Sequence, residues 1–211
     1  MNNHYKNITN YFNNKANVYD DVDKQPYWVL SDLFFKKILK KEVPRLIADK
    51  REINLLDAGA GTGRWTMFFY QLFNKDYKIS GELIDISQKM LDEAKIKIAK
   101  NNLSYKFKCL LGNIEKMDEI KNKHYDISLS FYNVISFTKE PKKALKEIAK
   151  KLKSGGSHIS IVANKYHSYY FSILTNQMAE LRFIKGRSKT RFNKLMPYVY
   201  CYTPDELKRL Y

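Results

Sequence analysis

Short apolar runs alternate with stretches of helical periodicity from about residue 52 to residue 163. The run "INLLDA" predicts a short buried strand, and the apolar-rich stretch from Arg64 to Phe73 predicts a helix. "YKISGELID" reads as a second strand. "QKMLDEAKIKIAKN" then has helical spacing, with Ser87 at the N-cap position. "YKFKCLLG" alternates like a third strand, and "YDISLSFYNVI" reads as a fourth. "PKKALKEIAKKLK" is amphipathic and opens with a proline suited to a first helical turn. "SGGSHISIVAN" gives a turn and a fifth strand. Strands that alternate with helices imply a parallel sheet with right-handed crossovers. Three segments follow: a helical, aromatic-rich arm over 1–50, the alternating domain over 51–163, and a segment over 164–211 without strand alternation.

Composition narrows the class. With 211 residues and 44% hydrophobic content, one α/β domain with a sizeable core is expected. No apolar run approaches the roughly 18 residues of a membrane span, so no membrane partner is expected. The opening "MNNHYKNITN" is polar, without the apolar stretch of a secretory signal. Cys109 and Cys201 lie far apart, which suits free thiols in a reducing cytoplasm. His4, His124 and His158 have no metal-ligand spacing, so no metal is expected. The net charge of +16 invites a nucleic-acid reading. Most of that charge is lysine spread along the chain, however. One local cluster stands out in "FIKGRSKTRFNK": Lys185, Arg187, Lys189, Arg191 and Lys194. It reads as a solvated loop first, and as a site for an acidic substrate or RNA phosphates second.

Directly behind the first strand stands "LLDAGAGTGRW". A tight turn from strand to helix needs positions free of Cβ, and Gly59, Gly61 and Gly63 supply them while letting a ligand approach the main chain. A dinucleotide fingerprint would place its third glycine at position 64, which is Arg64. That disfavours an NAD-dependent oxidoreductase. An acid just before the glycines, Asp57, suits a ligand that carries an amino acid rather than a pyrophosphate.

"LLDAGAGTG", followed in order by "LIDISQKML", "LLGNIE", "YDISLSFYNVISF" and "LKSGGSHISIV", resembles the class I S-adenosylmethionine-dependent methyltransferases, and within them the small-molecule branch. The resemblance covers roughly Arg51 to Ala163. It implies S-adenosylmethionine as cofactor, bound by the turn residues Asp57, Gly59, Ala60, Gly61 and Gly63. Asp85 follows Gly63 by 22 residues, the interval at which a carboxylate reaches a ribose hydroxyl. Ile86 and Met90 are expected to flank the adenine. Asn113 stands where the family often has an acid that accepts from the adenine amino group, with Ile114 beside it. Ser154 replaces the family's proline in "LKSGG". Phe131 closes the fourth strand next to the donor, while Tyr132 and Asn133 face the substrate, with the Tyr132 ring toward the sulfonium. The implied reaction is in-line methyl transfer from an activated donor. Positioning and desolvation then suffice, and no catalytic dyad is visible.

In such a family the N-terminal arm is a lid over the donor. Tyr11 and Tyr19 are eight residues apart and so are expected to share one helix face toward the substrate. Asn164 opens the segment where substrate residues usually emerge, His167 in it is the one candidate general base, and Arg191 could hold an acidic group. "CYTPDELKRLY" reads as a helix start, with Thr203 as N-cap, Pro204 at the first helical position and Glu206 completing a capping box. The expected fold is a Rossmann-like three-layer α/β sandwich on a mostly parallel sheet, short of its last two strands. The chain is accordingly expected to be a partial version of a longer enzyme, with an uncovered edge beside the fourth and fifth strands. The expected function is methylation of a small metabolite or natural product. An RNA or peptide methyltransferase and a non-catalytic donor-binding module are the alternatives.

Overall fold

The N-terminal arm folds as α1 (Asn3–Asn13), a 3-10 helix (Ala16–Lys24) and α2 (Pro26–Ile47). The structure, a computed structural model, describes residues 3–47, 50–191 and 194–211. After the arm come β1 (Glu52–Ala58), α3 (Arg64–Phe73), β2 (Lys78–Asp85), α4 (Gln88–Lys100), β3 (Phe107–Leu111) and β4 (Tyr125–Ser130). Then follow α5 (Val134–Phe137), α6 (Pro141–Lys151) and β5 (Leu152–Ser160). The C-terminal segment holds β6 (Ala163–Asn164), α7 (Lys165–Leu174), α8 (Met178–Arg187), β7 (Lys189–Thr190), β8 (Val199–Tyr202) and α9 (Pro204–Leu210).

The five strands β1 to β5 form a parallel sheet in the order β3-β2-β1-β4-β5. Its central strands are covered on both faces, which is why they read as continuous apolar runs rather than alternating ones. On one face Leu55, Leu83, Ile127 and Leu129 pack with Phe69 and Phe73 of α3. On the other, Leu56, Ala58, Ile84 and Tyr125 pack with Ala144 and Ile148 of α6. This is the expected three-layer sandwich. The C-terminal half of α2 belongs to the first layer, since Leu39, Val43 and Ile47 are fully buried in it. The caps form as the sequence implies. Ser87 accepts from the Met90 N–H at 3.3 Å, and Thr203 and Glu206 close a reciprocal capping box on α9.

Three expectations need correction. The fourth strand stops at Ser130 rather than running on to Ile135. Tyr132 and Asn133 adopt φ of 56° and 70°, and the apolar residues beyond them form α5. The C-terminal segment does contain strands: β6 pairs parallel with β8, and β8 pairs antiparallel with β7. At two to four residues these are too short to show a period. Finally, β4 is paired on both sides, by β1 and β5. Of these two, only β5 lacks a second strand partner among the described residues. Part of its flank is met by Tyr211, whose hydroxyl bonds to Ser160 and whose ring stacks on His158 at 6.0 Å. Burial pulls the His158 imidazole down to a pKa of about 4.

A third apolar cluster joins the two ends of the chain. Ile8 of α1 packs with Phe137, Ala163, Ile184, Val199 and Cys201, and Phe12 and Ile86 lie against them. The arm and the C-terminal segment are thereby held together beside the carboxyl edge of the sheet.

Candidate active site

The turn between β1 and α3 lies at the carboxyl ends of the strands. There the order reverses between β1 and β4, and this is where open α/β sheets take ligands. Its main chain is anchored to β2, because Gly59 N and Ala60 N both donate to Ile84 O, at 2.8 and 3.0 Å. Gly59 sits at φ +88°, and a Cβ there would come within 2.3 Å of Val134. Gly63 is also left-handed, and a Cβ would press on Ala94 at 3.1 Å. Both positions therefore require glycine for close approach as well as for conformation.

Asp85 clamps this turn. One carboxylate oxygen accepts from Gly61 N and the other from Ser87 N, each at 2.8 Å. Burial raises its pKa, and those backbone N–H groups oppose the rise. Asp57 lies behind the turn, almost fully buried, and accepts the Thr66 hydroxyl at 2.5 Å. Burial pushes it up to about 7, against the Thr66 bond and with a push from the Asp85 charge. Two carboxylates thus stand close together at the ends of β1 and β2, a setting that favours a cationic ligand.

The other expected donor residues surround this point. Met90 and Ile114 are buried, and Ile86 borders the cluster under α1. The Asn113 side-chain oxygen accepts from Glu115 N at 2.9 Å. Phe131 meets Trp65 edge-on at 4.9 Å.

The arm closes over the turn through polar contacts. Ser87 Oγ bonds to Asn13 Oδ1 at 2.6 Å, and Thr62 Oγ1 donates to Asp20 at 2.7 Å. Lys97 bonds to Thr62 O and pairs with Asp20. Tyr19 lies close enough to Asp85 for its charge to help burial raise the phenol to about 12. Tyr11 and Tyr19 do not share a helix face, however. Helix α1 ends at Asn13, where consecutive asparagines favour a turn, and the chain re-enters as a 3-10 helix. The two rings are instead gathered around Phe12, at 5.2 and 6.3 Å.

A second latch was not legible in the sequence. Arg64, first residue of α3, bonds to Asp32 of α2, and Asp32 also accepts the Tyr132 hydroxyl. Asp32 and Arg64 are both buried. The Tyr132 ring lies against Trp28 at 5.1 Å and has the Arg64 guanidinium 5.9 Å from its centre. Burial and Asp32 raise its phenol pKa. The cation against this ring in the structure is therefore the protein's own Arg64. Asn133 donates its N–H to Ile161 O at 2.9 Å and starts α5.

Helix α1 and its end, with Lys189, Arg191 and residues 195–198, line a groove of about 740 Å³. Asn7, Asn10 and Tyr11 of α1, with Asn14 just past its end, face Lys189, Arg191 and Tyr198 across it. Tyr11 and Arg191 thus come together, whereas Tyr19, Tyr132, Asn133 and Asn164 do not line the groove. Asn164 caps α7, accepting from Tyr166 N and His167 N. His167 is exposed, stacks on Phe171 at 6.3 Å, and also stands outside the groove. The signal that could have revealed the groove is the spacing of Asn7, Asn10 and Asn14, which repeats at helical intervals. A smaller groove of about 240 Å³, near Asn54, Ser80 and Tyr125, lies at the opposite, amino end of the strands. Among the described residues, no cluster of His, Cys, Asp or Glu could hold a metal, and no helix is long and apolar enough to cross a membrane.

Comparison with known proteins agrees with this geometry. Residues 55–156 match the family model of a methyltransferase domain. Among solved structures, a candidate S-adenosyl-L-methionine-dependent methyltransferase of Methanococcus maripaludis is 21% identical, with a TM-score of 0.57 over 83% of this chain and 75% of that one. A Pyrococcus horikoshii protein gives 16% identity and 0.57 over 83% and 79%. The YcgJ protein of Bacillus subtilis gives 16% and 0.58 over 81% and 64%. These likenesses carry the fold. No curated protein matches the chain. The glycine cradle, the carboxylates beneath it and the matched domain agree: residues 55–156 of this chain are a methyltransferase domain on the Rossmann-like fold of S-adenosylmethionine-dependent methyltransferases, and S-adenosylmethionine is the cofactor expected of it.

Proposed function

We propose that the methyl acceptor is a small metabolite or natural product, held in the groove between α1 and the residues Lys189, Arg191 and 195–198. The observation that carries this reading is the groove itself. Its volume of about 740 Å³ falls within the roughly 300–1,000 Å³ of small-molecule sites. The bound cofactor supplies a methyl group already activated on a sulfonium. The protein's residues then hold and shield. Asp85 is the acceptor for the ribose hydroxyls, with Ile86, Met90, Asn113 and Ile114 around the adenine and Phe131 at the inner wall. The charge of Asp85, joined by that of Asp57 above its pKa of about 7, favours a cationic donor. Asn13, Asp20 and Tyr19 of the arm close over the turn and exclude water. With an activated donor, positioning carries the rate, and this reading assigns no general base.

The basic cluster does not favour RNA. Arg191 bonds to Glu180 at 2.8 Å, while Arg187 lies over Phe183 and Lys189 over Tyr200. These cations are turned onto the protein's own groups. Cys109 and Cys201 are free thiols, which supports a reducing, cytoplasmic setting. The test is to incubate the chain with methyl-labelled donor and a cleared lysate, then separate small molecules, RNA and protein. Label in the small-molecule filtrate is expected. Label confined to RNA or protein would overturn the reading.

A further inference from the structure

Helix α2 is apolar on two opposite sides. One side, with Leu39, Val43 and Ile47, is buried in the core. On the other, Tyr27, Leu30, Leu33, Phe34 and Ile38 are each between 52% and 62% exposed. At 3.6 residues per turn they fall within one outward arc of about 140°. Lys37, Lys41 and Arg45 continue this arc toward the C-terminal end, and all three are exposed. Glu42 contacts Lys41 and Arg45 at 3.6 and 3.4 Å and leaves the stripe basic. Soluble monomers rarely expose so contiguous an apolar face. Helix α7 also exposes apolar residues, Tyr170, Ile173 and Leu174. It has no such basic flank, because Lys165 is buried against Ser188 and Glu206.

We propose that the outward face of α2 docks on an anionic lipid bilayer, with the helix lying in the plane of the interface. Charge complementarity selects this occupant. A second copy of a chain carrying +16 would bring lysine stripe against lysine stripe. A nucleic acid would pair with the lysines but leave Leu30, Phe34 and Ile38 in water. A bilayer with anionic headgroups meets both needs: the apolar side chains enter the headgroup–acyl boundary, and the lysine stems snorkel to the phosphates. The proposal departs from the expectation of no membrane partner, which rested on the lack of an apolar span. Interfacial docking needs no span. The inner side of the same helix carries Asp32, the residue that latches Arg64 and Tyr132. Docking would therefore press the arm onto the donor side of the molecule.

The test is sedimentation of the full chain with vesicles of phosphatidylcholine alone, and of phosphatidylcholine with about one-third phosphatidylglycerol. Binding to the anionic vesicles and little to the neutral ones is expected. Phe34→Glu should weaken it at least about tenfold. Lys37→Gln and Lys41→Gln should each weaken it about fivefold. All three side chains are exposed, so unchanged circular dichroism should confirm folding. No binding to either vesicle would overturn the proposal, as would binding indifferent to Phe34→Glu. A lipid-free dimer that Phe34→Glu dissociates would replace the bilayer with a second copy. RNA binding lost in the lysine variants but kept by Phe34→Glu, with no vesicle binding, would likewise overturn it.

Discussion

Strand β4 is buried at every position from Tyr125 to Ser130. Strand β8, which ties the C-terminal segment to the arm, buries Val199 and Cys201 and leaves Tyr200 and Tyr202 partly exposed. The two strands typify two regions. The donor side rests on a sheet covered on both faces, with each strand paired to a long neighbour. The proposed acceptor side rests on contacts of the N-terminal arm with distant parts of the chain: Ile8 with Val199, Asn13 with Ser87, Asp32 with Arg64. The first kind of structure is robust and chemically uniform, and it suits a cofactor that never changes. The second depends on a few side chains, and it can be re-cut for a particular acceptor without disturbing the sheet.

The Asp32–Arg64 latch joins the arm to the sheet domain through a buried ion pair. Asp32→Ala removes a buried carboxylate that holds both the Arg64 guanidinium and the Tyr132 hydroxyl, at a cost of about 3–5 kcal/mol. A large fall in Tm is expected, with arm amides losing hydrogen-exchange protection before those of β1 and β4. Asp32→Leu combined with Arg64→Met should recover most of the loss. Uniform loss of protection across arm and sheet would show the two regions to be one cooperative unit.

Gly59→Ala strikes the donor side itself. The added methyl meets Val134 and is held at an unfavourable φ, for about 2–4 kcal/mol in all. Denaturant midpoints should show it. Gly155→Ala is the matched control, since Gly155 has a similar φ of +73° but open space around it. There the expected cost is about 1 kcal/mol. Equal effects at the two sites would mean that Val134 does not define the turn.

The smallest expected effect is a cancellation. Asp57 titrates at about 7 in the fold, against about 4 in an unfolded chain. Between those values the folded state keeps a proton the unfolded chain has lost, so stability falls as pH rises, levelling off above about 7. His158 titrates at about 4 in the fold, against about 6.5 unfolded. From about 4 to about 6.5 the unfolded chain holds the extra proton, so stability rises with pH. The two slopes oppose. In Asp57→Asn, Tm should climb with pH across this window, and in His158→Gln it should decline. A variant profile parallel to the parent would refute the assigned group.

What could be read from the sequence follows the same division. β1 and β2 and the helices α3, α4, α6 and α9 were legible because burial pattern and caps are local. Asp57, Gly59, Gly61, Gly63 and Asp85 were recognisable by spacing, and the structure brings them to one end of the sheet. The end of β4 was not legible. Its apolar run continues past Ser130, and only the left-handed pair at Tyr132 and Asn133 turns it into α5. β7 and β8 escaped because they are two and four residues long and β8 takes its parallel partner from the distant residues 163–164. Asn164 looked like a substrate residue, while its side chain is occupied in capping α7. Asp32 stands in no motif, and only the fold sets Arg64 against it.

The central claim, that the glycine turn and Asp85 bind the donor, is tested most directly by calorimetry with adenosylhomocysteine. The parent chain should bind it, while NAD and NADP should not compete. A charge-assisted bond is worth roughly 1.5–3 kcal/mol, so Asp85→Ala should weaken binding by at least about tenfold. Asp85→Asn, which keeps one acceptor oxygen, should fall between the two. Unchanged affinity in a folded Asp85→Ala protein would contradict the account.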